Sequence, residues 1–122
     1  METKKYDLED RTLKFAIDCR LFLAKIPKTI SNTEDSKQLA RSSGSVGANY
    51  IEANESLSKK DFCYRVKICR KEAKESNYWL TILKAVNSFD KDIEIENGKL
   101  MQESEELKLI FSSIIEKSKL NF

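Results

Sequence analysis

The sequence predicts an all-α protein, an up-down-up-down four-helix bundle forming a single domain over residues 1–122. Three observations predict it. One proline and three glycines in 122 residues are too few breakers for a protein of sheets and turns. Apolar residues recur at steps of three and four through four long stretches. The breaks between those stretches are short and polar, so consecutive helices should lie antiparallel.

The first helix should start near Asp7, an N-cap with Asp10 in its first turn, and stop before Pro27. Leu8, Thr12, Phe15, Cys19, Phe22 and Ile26 form its buried stripe. Leu13, Ile17, Leu21 and Ala24 make a second apolar strip, and a helix with two such strips usually touches more than one neighbour.

Ser31, Asn32 and Thr33 are all N-cap residues, and Ser31 with Glu34 fits a capping box. The second helix then runs to about Ser56, with Leu39, Val46, Tyr50, Ala53 and Leu57 as its core stripe and Ser43 in register. About 100° round the helix lie Ala40, Gly44, Gly47 and Ile51. A glycine inside a helix costs roughly 1 kcal/mol relative to alanine. Close approach of another helix backbone would compensate for that cost.

Ser58 can cap the third helix, with Asp61 at its N3 position. Phe62, Val66, Cys69, Ala73, Leu80 and Leu83 supply its core, widened by Ile68, Trp79 and Val86, and it should reach Ser88. The acidic segment FDKDIEIENG reads as a loop. The last helix is expected from about Gly98, with Leu100, Leu107, Ile110, Phe111, Ile114 and Ile115 inward, fraying near Lys119.

Charged residues make up 34% of the chain, yet the net charge is only +2, too little to announce a nucleic-acid partner by itself. Their placement is more telling. Bases dominate from Lys59 to Lys74 and acids from Asp90 to Glu106, so the molecule should be electrically two-faced. Cys19, Cys63 and Cys69 are an odd number without framework spacing, which points to reduced thiols. No apolar run approaches a membrane span, and the N-terminus lacks a signal-peptide core. A soluble cytoplasmic protein is the expectation.

Some polar residues sit where a helical wheel expects apolar ones. With Phe62 at zero, Glu72, Arg65 and Ser76 fall at about 280°, 300° and 320°, inside the apolar arc of the third helix. On the second helix Arg41, Ser45, Asn49 and Glu52 share one narrow strip. A buried carboxylate needs a partner, so these seven residues should form a structural hydrogen-bonded ion network, within the bundle or across a subunit interface. If the pair is buried, Glu72→Ala should cost roughly 3–5 kcal/mol.

A carboxylate metal site is the sharper alternative. Glu52 and Glu55 are three apart, as are Glu72 and Glu75, which resembles the spacing in di-metal bundles. The chain has no histidine, and Glu55 and Glu75 should turn away from the interior, so neither metal nor cofactor is expected. Cys63 and Cys69 lie about 240° apart on their helix, and without histidine a nucleophile lacks its usual base. The expectation is a protein without enzymatic activity.

On the same wheel Lys60, Lys67, Lys71 and Lys74 lie between about 120° and 180°, opposite the core, with Arg70 near 80°. Tyr64 and Tyr78 flank them, and no acid interrupts the stripe. Such a face is either merely solvated or tracks phosphates, with tyrosines stacking on bases.

Two motifs carry a family resemblance. The run from Gln38 to Ala53, QLARSSGSVGANYIEA, and the run from Arg70 to Leu80, RKEAKESNYWL, resemble the signature of the four-helix-bundle proteins of the 23S rRNA intervening-sequence family. Pro27 before the second helix and the order of four helices agree with it. The family resembles the accessory protein of diversity-generating retroelements, a homopentameric barrel that binds nucleic acid and a reverse transcriptase. The resemblance implies a homo-oligomer, by analogy a pentamer, with RNA or DNA as a partner. A scaffold that docks a protein such as a reverse transcriptase, without touching nucleic acid, is the alternative.

Overall fold

A computed structural model describes residues 4–120, and side chains over 8–119. Four helices carry almost all of it: α1 (Lys4–Leu23), α2 (Ile30–Asn54), α3 (Lys59–Val86) and α4 (Lys91–Leu120). No strand occurs among the described residues. Each helix packs on its neighbour in the chain, and α4 returns to α1. Cross-helix contacts fix the directions. Asn54 reaches Glu9 while Arg20 reaches Ala40, so α1 and α2 run antiparallel. Arg65 meets Asn49 and Ser76 meets Ser42; Arg70 meets Ser112 and Asn77 meets Ser104. The same reversal therefore holds along α2–α3 and α3–α4, giving a four-helix bundle.

The core follows the expected stripes. Phe15, Phe22, Leu39, Val46, Val66, Leu80, Leu83, Leu107, Phe111 and Ile115 are sealed from solvent. Cys19 and Cys69 lie among them, and burial pushes both thiols up to about 12. At neutral pH they are protonated, small hydrophobic groups.

Gly47 shows why α2 tolerates glycine. A Cβ there would lie 2.8 Å from Thr12 Oγ1 and 3.1 Å from Thr12 Cβ on α1. Gly44 serves differently: the space beside it holds the Arg20 guanidinium, which donates to the Ala40 carbonyl at 2.9 Å.

Several boundaries differ from expectation. α1 is already helical at Lys4, and the Asp7 side chain lies outside the described residues. The cap of α2 is Thr29, whose hydroxyl accepts from the Asn32 N–H at 3.1 Å, rather than Ser31. Asn32 is needed elsewhere: its buried amide donates to the Pro27 carbonyl at 2.9 Å and exchanges paired hydrogen bonds with Asn87, both 2.8 Å, tying the 24–29 and 87–90 connections together. Ser58 caps α3 as predicted, accepting from the Asp61 N–H.

The largest departure is α4. The supposed acidic loop is mostly helix, since Asp90 caps it by accepting from the Ile93 N–H at 3.0 Å. Ile93 packs on the core and Asn97 is fully buried, donating to the Leu80 carbonyl. Leu57, placed in the core by periodicity, falls in the 55–58 connection and is 99% exposed. Among the described residues the second strip of α1 is left uncovered: Leu13, Ile17 and Leu21 all remain exposed.

Candidate nucleic-acid interface

α3 is unbroken over 28 residues, about 42 Å at 1.5 Å per residue. Its inner side carries Val66, Cys69, Ala73, Leu80 and Leu83, so residues half a turn away must face outward. Lys60, Lys67, Lys71 and Lys74 are all exposed. Lys60 and Lys74 are about 21 Å apart along the axis. None of these lysines forms an ion pair among the described residues. Arg70 is half-buried and leans toward α4, donating to Ser112 Oγ at 3.5 Å, so it sits at the edge of the stripe. Tyr64 and Tyr78 are 62% and 58% exposed on this face.

The expected polar network divides into two clusters. In the first, Arg65 donates to Asn49 Oδ1 at 3.1 Å, and Asn49 donates back to the Ser45 carbonyl and hydroxyl. In the second, Arg41 donates to Glu72 at 3.2 Å and also grips Glu75. Glu72 is 7% exposed although the Arg41 side chain is 47% exposed. The pair is therefore buried at its acid end and wet at its base end. Ser76 is sealed between the helices, 2.9 Å from Ser42 Oγ and donating to the Glu72 carbonyl.

Two residues trade places relative to the sequence reading. Glu52 is exposed and belongs to neither cluster. Glu75, expected to turn away, accepts from Arg41 and from the Trp79 indole N–H at 3.0 Å. Its signal was local: Glu75 and Trp79 are four apart and share one helix side. Burial pushes the Glu75 carboxyl up, but the Trp79 and Arg41 hydrogen bonds outweigh it and hold it below the usual carboxylate range. The Glu75 hydrogen bond correspondingly makes the Arg41 proton harder to lose. Ser42 was also missed, though its wheel position beside Leu39 and Val46 would have placed it inward.

Among the described residues no three His, Cys, Asp or Glu side chains converge on a possible metal position. No helix among them is long and apolar enough to cross a membrane.

These helices, with their glycine-bearing α2 and ionic α3, match the family model described as 23S rRNA-intervening sequence protein over residues 4–113. The chain belongs to that family. Among solved structures, this 23S rRNA-intervening sequence protein family member is similar to a protein of unknown function from the S23 ribosomal protein family of Bacteroides thetaiotaomicron VPI-5482. The two are 29% identical with a TM-score of 0.81, over 93% of this chain and 99% of that one. No curated protein matches the sequence.

Proposed function

We propose that this family member is a non-enzymatic, self-associating bundle protein that binds structured RNA or other nucleic acid along the outer face of α3. One observation carries the reading. Lys60, Lys67, Lys71 and Lys74 are exposed on one side of one helix and have no ion-pair partner among the described residues. Lysines in no ion pair among the described residues, spread over about four turns, suit a polyanion better than a point ligand. Arg70 at the margin and Tyr64 and Tyr78 on the face complete the contact set.

Self-association has separate support. Leu13, Ile17 and Leu21 leave an apolar strip on α1 that the bundle does not cover, and such patches mark interaction surfaces. The resemblance to the accessory protein of diversity-generating retroelements favours a pentamer. A ring of copies would repeat the lysine stripe and sum its field, offsetting the low net charge of each chain. The same strip favours the second reading, a scaffold that docks a protein partner such as a reverse transcriptase.

Filter binding separates the two. Retention of RNA at low salt, falling as salt rises, is expected; no retention of any nucleic acid would remove the first reading. A partner pull-down that survives nuclease treatment would favour the second. Light scattering of the free protein tests the assembly, and a monomer at all concentrations would end that part.

A further inference from the structure

The two tyrosines of the α3 face are exposed to a similar degree and differ in support. Tyr64 makes no ring contact among the described residues. Tyr78 rests against Trp79, with ring centroids 5.0 Å apart and planes at 76°. Trp79 is itself held, since it packs against the core and its indole N–H donates to Glu75 Oε2 at 3.0 Å. That oxygen also accepts from Arg41, whose second nitrogen donates to the buried Glu72. A continuous line of contacts thus runs from the α2–α3 interior to an exposed aromatic ring.

We propose that Tyr78 is a pre-set stacking platform for an unpaired base, so that the α3 face takes a single-stranded or loop segment in preference to uninterrupted duplex. The inference rests on the nucleic-acid reading above and names the class of ligand that reading leaves open. An exposed side chain ordinarily loses rotamer freedom when it stacks, and a ring already fixed by a neighbour loses less. The surroundings fit. Lys74 is one helical turn before Tyr78 and Lys71 about two, so backbone phosphates beside a stacked base meet cations. Glu75 would repel those phosphates, but Arg41 offsets its charge. A duplex offers this ring little, because its base faces are already stacked on one another. Trp79, Glu75 and Arg41 act as positioning residues that need not touch the ligand.

Trp79 is the only tryptophan in the chain, so its fluorescence reads the platform directly. The test titrates the protein at low salt with a short single-stranded RNA, and with a long RNA duplex in which free base faces are rare. Single strands should quench Trp79 and bind the tighter of the two per site. Tyr78→Ala should weaken single-strand binding roughly ten-fold and leave duplex binding within about two-fold, given what one stacked base contributes. Tyr78→Phe should bind like the parent, because the ring stacks and the hydroxyl does not. Glu75→Ala should weaken single-strand binding and Glu75→Gln should restore it, since the amide oxygen still accepts from the indole. Equal binding of both RNAs, with Tyr78→Ala matching the parent, would overturn the platform and leave the lysine stripe standing. Binding of neither RNA would overturn the platform and the nucleic-acid reading together.

Discussion

The outer face of α3 and the acidic surface of α4 carry charge at similar density and use it in opposite ways. On α4, Glu103 and Glu106 hold Arg11 of α1 at 2.7 and 2.8 Å, Glu96 holds Lys25 at 3.0 Å, and Glu105 pairs with Lys108. The Arg11 proton is bound more tightly than usual, first through its hydrogen bond to Glu103. Glu103 and Glu106 therefore help dock α4 on α1, and Glu96 ties it to the 24–29 connection. Lys60, Lys67, Lys71 and Lys74 of α3 form no such pair among the described residues. A charge run read from sequence cannot separate these cases, because the difference lies in what the neighbouring helix presents.

The widest test of that contrast reverses the idle charges. Lys67→Glu, Lys71→Glu and Lys74→Glu together should lower RNA affinity by at least about a hundred-fold at low salt. Thermal or urea unfolding should shift by no more than about 0.5 kcal/mol per site, as at ordinary surface positions. A large loss of stability would mean that the stripe has a structural role after all.

Interior contacts should respond in the opposite sense. Gly47→Ala forces a methyl against Thr12 and should cost about 1–3 kcal/mol in urea unfolding. Gly98→Ala provides the control. It meets nothing within 4 Å, lies inside α4 and should stabilise by roughly 0.5–1 kcal/mol. Glu72→Ala comes next at about 1–2 kcal/mol, less than a fully buried pair would cost. The reduction arises because Arg41 keeps Glu75 and solvent when Glu72 is removed. The smallest effect belongs to the α1–α4 seam. Glu103→Gln should cost less than about 1 kcal/mol, because both half-buried partners still reach solvent and Arg11 keeps Glu106, and salt should shrink the difference further.

Much of the bundle is legible in the sequence because burial on a helix is periodic. Phe15, Val46, Val66 and Leu107 follow from spacing alone, and so does the outward direction of the lysines. What spacing misses is competition between adjacent signals. The acidic segment up to Gly98 reads as a loop, yet Asp90 caps a helix near its start and burial of Ile93 and Asn97 carries it through. Ser31 looks like a cap, but Thr29 lies two residues earlier and Asn32 is committed to Asn87. Leu57 continues the stripe of α2 in register and is lost when the chain turns at Glu55. The candidate site divides similarly. Helical angle places Lys60, Lys67, Lys71 and Lys74 outside and Glu72 and Ser76 inside. The pairing of Arg41 with Glu75 depends on how far two helices stand apart, which no single-helix pattern contains.

The salt dependence of RNA binding decides whether those α3 lysines meet a polyanion at all. With each of Lys60, Lys67, Lys71 and Lys74 on one phosphate, log K should fall against log salt with a slope of about −3. A slope near zero, or one that the triple lysine reversal leaves unchanged, would contradict it.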